Sequence, residues 1–332
     1  MTVESYTNSS LSCARLCLQK YELQYGQRLE RAFGDEREVL QVGHVWHQAF
    51  DVQARGGDPY AMIASRAPGA RWAVKLARLF AAYAWYWSAQ PIALMETETV
   101  FSFELNGRKY EGQRDGRLKT PDGRRGLIER KTTSDAIDAA SDYWRKLALD
   151  VQVGLYGIAE NRPDFILYDV VRKPTINPKG LTKADLARMR KEVERDGSAV
   201  YYAERFDGSL LAEAFATESE TLELYGARLT ADVGDRPTYY FARREVPRTG
   251  PEYDALLVDL DRQVRMIEHA EREGLWFRNP DACETFGTCA FFSLCSNNAV
   301  PLRGAPPPEG FKRRQHVHPE LVREATTTKE TT

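Results

Sequence analysis

Cysteine is missing from the long middle of this sequence: its five copies are Cys13, Cys17, Cys283, Cys289 and Cys295. An odd count split between the two ends argues against a disulfide framework. The short C-x2-C pairs usual in structural zinc sites are missing too. No apolar run approaches the length of a membrane span, so no membrane association is expected. The opening M-T-V-E-S-Y-T-N-S-S has neither a basic nor an apolar stretch, so it is not read as a secretory leader. A reducing cytoplasm is the expectation, a host's cytoplasm if a phage encodes the chain. A strong charge of one sign is also absent: 46 Lys and Arg against 48 Asp and Glu leave a net −2. That excludes a wholly basic nucleic-acid coat and leaves room for a local basic channel.

One such basic stretch runs from Tyr110 to Ser134, Y-E-G-Q-R-D-G-R-L-K-T-P-D-G-R-R-G-L-I-E-R-K-T-T-S. It reads as a β-hairpin around Pro121-Asp122-Gly123. A turn centred on Asp122 sets Asp115 opposite Glu129, and cross-strand partners have Cβ atoms roughly 5 Å apart. Lys131 follows Glu129 by two and shares its face. Two acids and a lysine on one face suit a divalent-metal phosphodiesterase; the bland alternative is a solvated, mixed-charge hairpin.

The rest of the chain supplies the setting. Residues 6 to 33 are helical in pattern behind the capping signal Ser9-Ser10. Cys13 and Cys17, four apart, could share a helix face. A second helix spans 37 to 56, with Val42, Val45, Trp46, Ala49 and Phe50 as its apolar stripe and His44 and His47 beside it. An apolar helix runs from about Pro68 to Gln90. A strand follows and turns at Asn106-Gly107, a strong hairpin signal. Three strands thus form an antiparallel meander. A helix from about Ala140 to Glu160 carries Gln152 and Tyr156 four apart, and Asp164 to Val171 reads as a buried strand. A helix between strands implies a parallel pairing. The fold is therefore read as α/β, a central mixed sheet flanked by helices.

Residues 173–250 read as an inserted α+β region: a charged helix over Lys179–Asp196, an amphipathic helix over Leu210–Leu229, and strands over Ala199–Phe206 and Thr238–Glu245 that could pair. The string Tyr239-Tyr240-Phe241-Ala242-Arg243-Arg244 could line a nucleic-acid channel. Residues 251–300 read as a helix and a cysteine-rich clasp, and 301–332 as a mobile tail. Within the clasp, Cys283, Cys289 and Cys295 stand amid Phe286, Phe291 and Phe292. A fourth soft ligand has to come from Cys13 or Cys17. Four thiolates suit an iron–sulfur cluster or a structural zinc that ties the two chain ends together.

Taken in order, these stretches resemble the RecB-like branch of the PD-(D/E)XK nuclease superfamily. The helix motif G-x-x-x-H is matched by Gly43-His44-Val45-Trp46-His47. The aspartate after a glycine is matched by Gly112-Gln113-Arg114-Asp115. The (D/E)-x-K motif is matched by Glu129-Arg130-Lys131, and Q-x-x-x-Y by Gln152-Val153-Gly154-Leu155-Tyr156. Iron–sulfur members, similar to CRISPR-adaptation and AddB-type nuclease domains, add one N-terminal cysteine and three near the C-terminus. Here Cys13-Ala14-Arg15 takes the N-terminal place, with Ala14 where proline is common. The likeness covers residues 6–172 and 276–295, and residues 1–172 are read as the nuclease core with its N-terminal helical part.

The resemblance implies a role for each residue. Asp115, Glu129, His47 and the backbone carbonyl of Arg130 would hold Mg2+ or Mn2+, imidazole favouring Mn2+. Lys131 would orient or deprotonate the attacking water, and Gln152 and Tyr156 would position the strand and the lysine. Cys13, Cys283, Cys289 and Cys295 would hold a [4Fe–4S] cluster, with Zn2+ as the alternative. Arg114, Arg117, Arg130 and Arg243 would contact DNA phosphates. The expected activity is metal-dependent hydrolysis of linear or single-stranded DNA, as an exonuclease of recombination, repair or mobile-element metabolism, with a helicase or recombinase partner. The alternatives are a prespacer-trimming nuclease of CRISPR adaptation, a non-catalytic DNA-binding module, and a zinc-stapled scaffold.

Overall fold

The architecture is α/β: a five-stranded mixed sheet covered by helices. The structure, a computed structural model, describes residues 4–33, 38–285 and 287–321. In chain order come α1 (Asn8–Leu16), α2 (Leu18–Tyr21), β1 (Leu29–Arg31), α3 (Glu38–Ala54), α4 (Pro59–Arg66) and α5 (Ala70–Tyr86). The meander is β2 (Leu94–Leu105), β3 (Arg108–Lys119) and β4 (Arg125–Thr133). Then follow α6 (Asp142–Leu147), α7 (Val151–Ala159) and β5 (Phe165–Arg172). The next segment holds α8 (Lys183–Asp196), β6 (Ser198–Tyr201), β7 (Glu204–Asp207), α9 (Gly208–Thr217), α10 (Leu222–Asp235), α11 (Pro237–Tyr240) and β8 (Phe241–Glu245). Last are α12 (Gly250–Glu273), α13 (Phe292–Ser296) and β9 (Phe311–Arg313).

The sheet order is β2-β3-β4-β5-β8. Both predicted meander turns form. Asn106 and Gly107 take φ of 53° and 73°, the left-handed pair that a two-residue hairpin turn requires. At the second turn Gly123 has φ 91° and its N–H donates to the Thr120 carbonyl. The strands β4 and β5 run parallel, with Glu129 beside Tyr168, as a crossover helix demands.

One face of the sheet is covered by α1, α7 and α12 through Leu11, Leu155, Tyr156, Leu260 and Val264. The other is covered by α3, α4, α5 and α10 through Val45, Trp46, Phe80 and Leu229. Because helices cover both faces, β4 is buried over five successive residues, Gly126 to Arg130. Two acidic or basic members of that run, Glu129 and Arg130, are therefore drawn inside with the strand.

Several expectations change in detail. The helix foreseen from Ala140 to Glu160 is two helices, because Asp150 takes an extended conformation (φ −67°, ψ 107°) and caps α7 by accepting from the Gln152 N–H. The helix foreseen over Leu210–Leu229 breaks at Glu218, whose φ is 50°. Ala199–Phe206 is not one strand but a hairpin, turned at Tyr202 and Ala203 with φ of 46° and 66°. The strand within Thr238–Glu245 does not pair with it; β8 instead joins the main sheet, antiparallel to β5. Of the tail read as mobile, residues 301–321 fold back: β9 pairs with β1, and the His318 ring packs on Tyr25. Residues 322–332, like Phe286 and the first residue of the helix foreseen over 37–56, lie outside the described residues.

Candidate metal centre

The β3–β4 ladder ends at Gly116 against Ile128. One step further along, where Asp115 and Glu129 would pair, the strands part. The Arg130 N–H donates not to a strand carbonyl but to Asp115 Oδ2, at 2.6 Å. On the other side of β3, Thr97 pairs with Gly116 and Thr99 with Arg114, so Glu98 stands across from Asp115. Glu98 itself has φ 47°, a left-handed conformation that non-glycine residues rarely adopt and that concentrates at functional sites.

Helix α3 brings His47 to this point. A Cβ on Gly43 would come within 3.3 Å of Thr132 Oγ1, so a glycine there lets the helix settle close onto β4. His47 Nδ1 lies 3.2 Å from Asp115 Oδ1 and 3.9 Å from Glu98 Oε1. One donor atom each from His47, Glu98 and Asp115 falls within 4.8 Å of the others. His44, on the same helix, is exposed. Glu129 is not part of that close group.

Glu129 faces a second constellation. Lys131 Nζ lies 2.7 Å from Glu129 Oε1, 3.1 Å from Asp150 Oδ2 and 3.1 Å from Gln152 Oε1. The Gln152 Nε2 donates to the Tyr156 hydroxyl at 2.5 Å, which turns the amide so that its oxygen meets the lysine. Helix α7 can lie this deep because Gly154 and Gly157 carry no side chain where Leu256 and Tyr253 of α12 press in.

The electrostatics are unbalanced. Burial, and then the charge of Asp115 against the pull of Lys131, push the Glu129 carboxyl up to about 8. Burial and Asp115 likewise raise Glu98 to about 7. Burial works to lower His47, but the Asp115 carboxylate outweighs it and raises the imidazole to about 9. Asp115 is itself held low: burial works to raise it, and His47 and Arg130 prevail. Lys131 is raised despite burial, by Glu129 and Asp150. Glu129 Oε2 is buried with no hydrogen-bond partner among the described residues. An acceptor left without a donor inside a protein is costly, and a hard cation satisfies such an oxygen. One imidazole nitrogen and several carboxylate oxygens fit a divalent cation.

Every residue of the predicted set is therefore in the region, with Asp115 and His47 on one side and Glu129, Lys131, Gln152 and Tyr156 on the other. Two residues were missed. Asp150 carries the sequence mark of an N-cap, an acid just before a helical run. Glu98 was legible too: a hairpin turning at Asn106-Gly107 pairs it with Asp115 by the counting that paired Asp115 with Glu129.

The arginines expected to contact phosphate have internal partners. Arg114 is 6% exposed and pairs with Glu160 and, at 3.2 Å, with Glu96. Arg117 bridges the same two acids at 3.2 and 3.1 Å. The Arg130 guanidinium lies 4.3 Å over the Phe50 ring. Arg243 pairs with Asp169 at 3.4 Å and lies 4.0 Å over Trp87. Each of the four arginines thus already has a partner within the protein.

At the chain ends, Cys17, Cys283, Cys289 and Cys295 line one cavity of about 170 Å3, with Pro280, Ala282, Phe291 and Phe292 as apolar walls and Lys20 and Arg278 at its border. Cys13 does not line that cavity; it is buried in the core cluster that includes residues of α1, α7 and α12, where burial pushes its thiol up to about 12. The expectation that Cys13 and Cys17 share a helix face fails because α1 stops at Leu16. Cys17 is extended (φ −163°, ψ 116°) and turns towards Phe277 and Asn279. Four sulfurs, apolar walls and two nearby cations fit an anionic metal–thiolate group.

No family profile matches the chain, and no curated protein matches it. Among solved structures, it is similar to the crystal structure of a "Putative exonuclease" from Eubacterium rectale, at 11% identity and a TM-score of 0.47, covering 92% of this chain and 91% of that one. It is also similar to SSO0001, at 14% identity and a TM-score of 0.22, covering 47% of this chain and 70% of that one. The functional reading rests on the geometry of the site. No described helix is long and apolar enough to cross a membrane.

Proposed function

We propose that the chain is a divalent-metal-dependent deoxyribonuclease that hydrolyses phosphodiester bonds of linear or single-stranded DNA, acting as an exonuclease in recombination, repair or mobile-element DNA metabolism. The observation that carries the reading is Glu129, 2% exposed, with one oxygen on Lys131 and the other without a partner, beside Asp115 and His47. Held by His47, Asp115, Glu129 and the Arg130 carbonyl, Mg2+ or Mn2+ would supply an activated water and neutralise phosphate charge.

The chain's own groups do the rest. An ammonium has three N–H donors, and Lys131 finds three acceptors, in Glu129, Asp150 and Gln152. It is thereby fixed as a cation, suited to stabilising charge that builds on the phosphate rather than to taking a proton. Tyr156 fixes Gln152, and Gln152 fixes Lys131, so the two helix residues are positioning residues. Burial under α3 and α7 lowers the local dielectric and strengthens each of these interactions.

Digestion of end-labelled linear, circular, single- and double-stranded DNA with Mg2+, Mn2+ or a chelator tests the reading. Glu129→Ala and Lys131→Ala should each lower the single-turnover rate by on the order of 10² to 10³. Wild-type rates in both variants would sink it.

The cysteine cavity supports a second element of the reading, a [4Fe–4S] cluster on Cys17, Cys283, Cys289 and Cys295 that clasps the chain ends, with Zn2+ as the alternative. Anaerobically purified protein should show broad visible absorption and bound iron. Cys17→Ser should lose both and Cys13→Ser should keep both; the reverse pattern would return the fourth ligand to Cys13.

A further inference from the structure

The metal set implied by the resemblance is His47, Asp115, Glu129 and the Arg130 carbonyl, but the fold also brings Glu98 to His47 and Asp115. His47 Nδ1, Glu98 Oε1 and Asp115 Oδ1 come together from α3, β2 and β3, with Nδ1 at 3.9 Å and 3.2 Å from the two oxygens. An ion that binds ligands at about 2.1 Å keeps neighbouring ligands about 3 Å apart and opposite ones about 4 Å apart. The two spacings from Nδ1, 3.2 and 3.9 Å, fall within that envelope before any ion is bound, and the three residues each bring a ligand atom within 4.8 Å of the others.

The outer oxygens are anchored in a way that aims the inner ones. Asp115 Oδ2 accepts from the Arg130 N–H at 2.6 Å, and Glu98 Oε2 accepts from Gln113 Nε2 at 2.7 Å. Oδ1 and Oε1 are thus the atoms that meet at His47. Beside this group lies the 2%-exposed Glu129, whose Oε2 has no hydrogen-bond partner among the described residues. A buried carboxylate oxygen in that condition points to a ligand the protein itself does not supply.

We propose that Glu98 is a metal ligand, and that His47 Nδ1, Asp115 Oδ1 and Glu98 Oε1 define the primary cation position, with Glu129 Oε2 as an outlying contributor. The inference rests on the metal-dependent reading above and changes its ligand set. One imidazole among carboxylates makes Mn2+ the better-held ion, Mg2+ preferring an all-oxygen shell. Glu98 meets the site from a backbone at φ 47°.

The test titrates Mn2+ into metal-stripped full-length protein. Electron paramagnetic resonance reads free Mn2+, and circular dichroism reads the fold. Glu98→Gln and Asp115→Asn should each weaken Mn2+ binding at least tenfold, and Glu129→Gln should weaken it less. Glu98→Asp, which keeps the charge but shortens the reach, should also weaken binding, and it serves if Glu98→Gln does not fold. Wild-type affinity in the folded Glu98 variants, with loss in Asp115→Asn, would overturn the assignment and leave the metal-dependent reading standing. Failure of the wild type to bind Mn2+ would overturn both.

Discussion

Two buried glutamates in this molecule are held in opposite ways. Glu220, in the segment between β5 and β8, has a side chain 0% exposed. It accepts from Arg228 at 2.5 and 2.8 Å, from the Tyr201 hydroxyl at 2.8 Å and from the Lys179 N–H at 3.0 Å. Both oxygens are satisfied. Burial works to raise its carboxyl, but Arg228, Tyr201 and Lys179 together hold it below its ordinary value. Glu129 is also buried, yet only one of its oxygens has a donor, and burial with the charge of Asp115 pushes its proton affinity up. A carboxylate kept for stability is surrounded until its charge is matched. Glu129 is left short of a donor, with an oxygen that a group from outside could complete.

The sharpest way to break that comparison is to remove each charge and measure stability in metal-free protein. Glu220→Ala leaves Arg228, 11% exposed, without its partner. Stripping one member of a buried ion pair costs about 3–5 kcal/mol, which urea denaturation would register as a lower midpoint. Glu129→Gln puts a neutral amide where burial disfavours a charge and leaves Lys131 its contacts with Asp150 and Gln152, so it should cost clearly less than Glu220→Ala. Equal losses in the two variants would show that Glu129 is structural and would end the comparison.

Much of the site was legible because its signals are local. The turns at Asn106-Gly107 and Pro121-Asp122-Gly123 fix the pairing of three strands, and with it the place of Asp115. The period of two puts Lys131 with Glu129. What the sequence hid depends on contacts between distant segments. Nothing near Phe241 tells that it will lie against Val171 rather than another strand, or that Phe311 will lie against Arg31. The conversion of Cys17 from a helical to an extended residue is set by its contacts with Phe277 and Asn279, some 260 positions away. Arginine composition is silent for the same reason: a basic stretch does not tell that Arg114 and Arg117 will pair with Glu96 and Glu160.

The most specific prediction turns on sign. Glu129 rises from an ordinary 4.5 to about 8 on folding. The folded state thus binds its proton more tightly than the unfolded state. That contribution is fully present below about 4.5 and is lost as pH climbs towards about 8. Glu220 moves the other way, from an ordinary 4.5 downwards. Its contribution is present above that value and is lost as pH falls through the lowered one. Denaturation of metal-free protein across pH should show both limbs. Glu129→Gln should flatten the alkaline limb and spare the acid one, and Glu220→Gln should do the reverse. Saturating Mn2+ should likewise flatten the alkaline limb, because a cation on Glu129 occupies the oxygen that the proton would take. An alkaline limb unchanged by either treatment would mean that the unmatched charge of Glu129 has no energetic consequence.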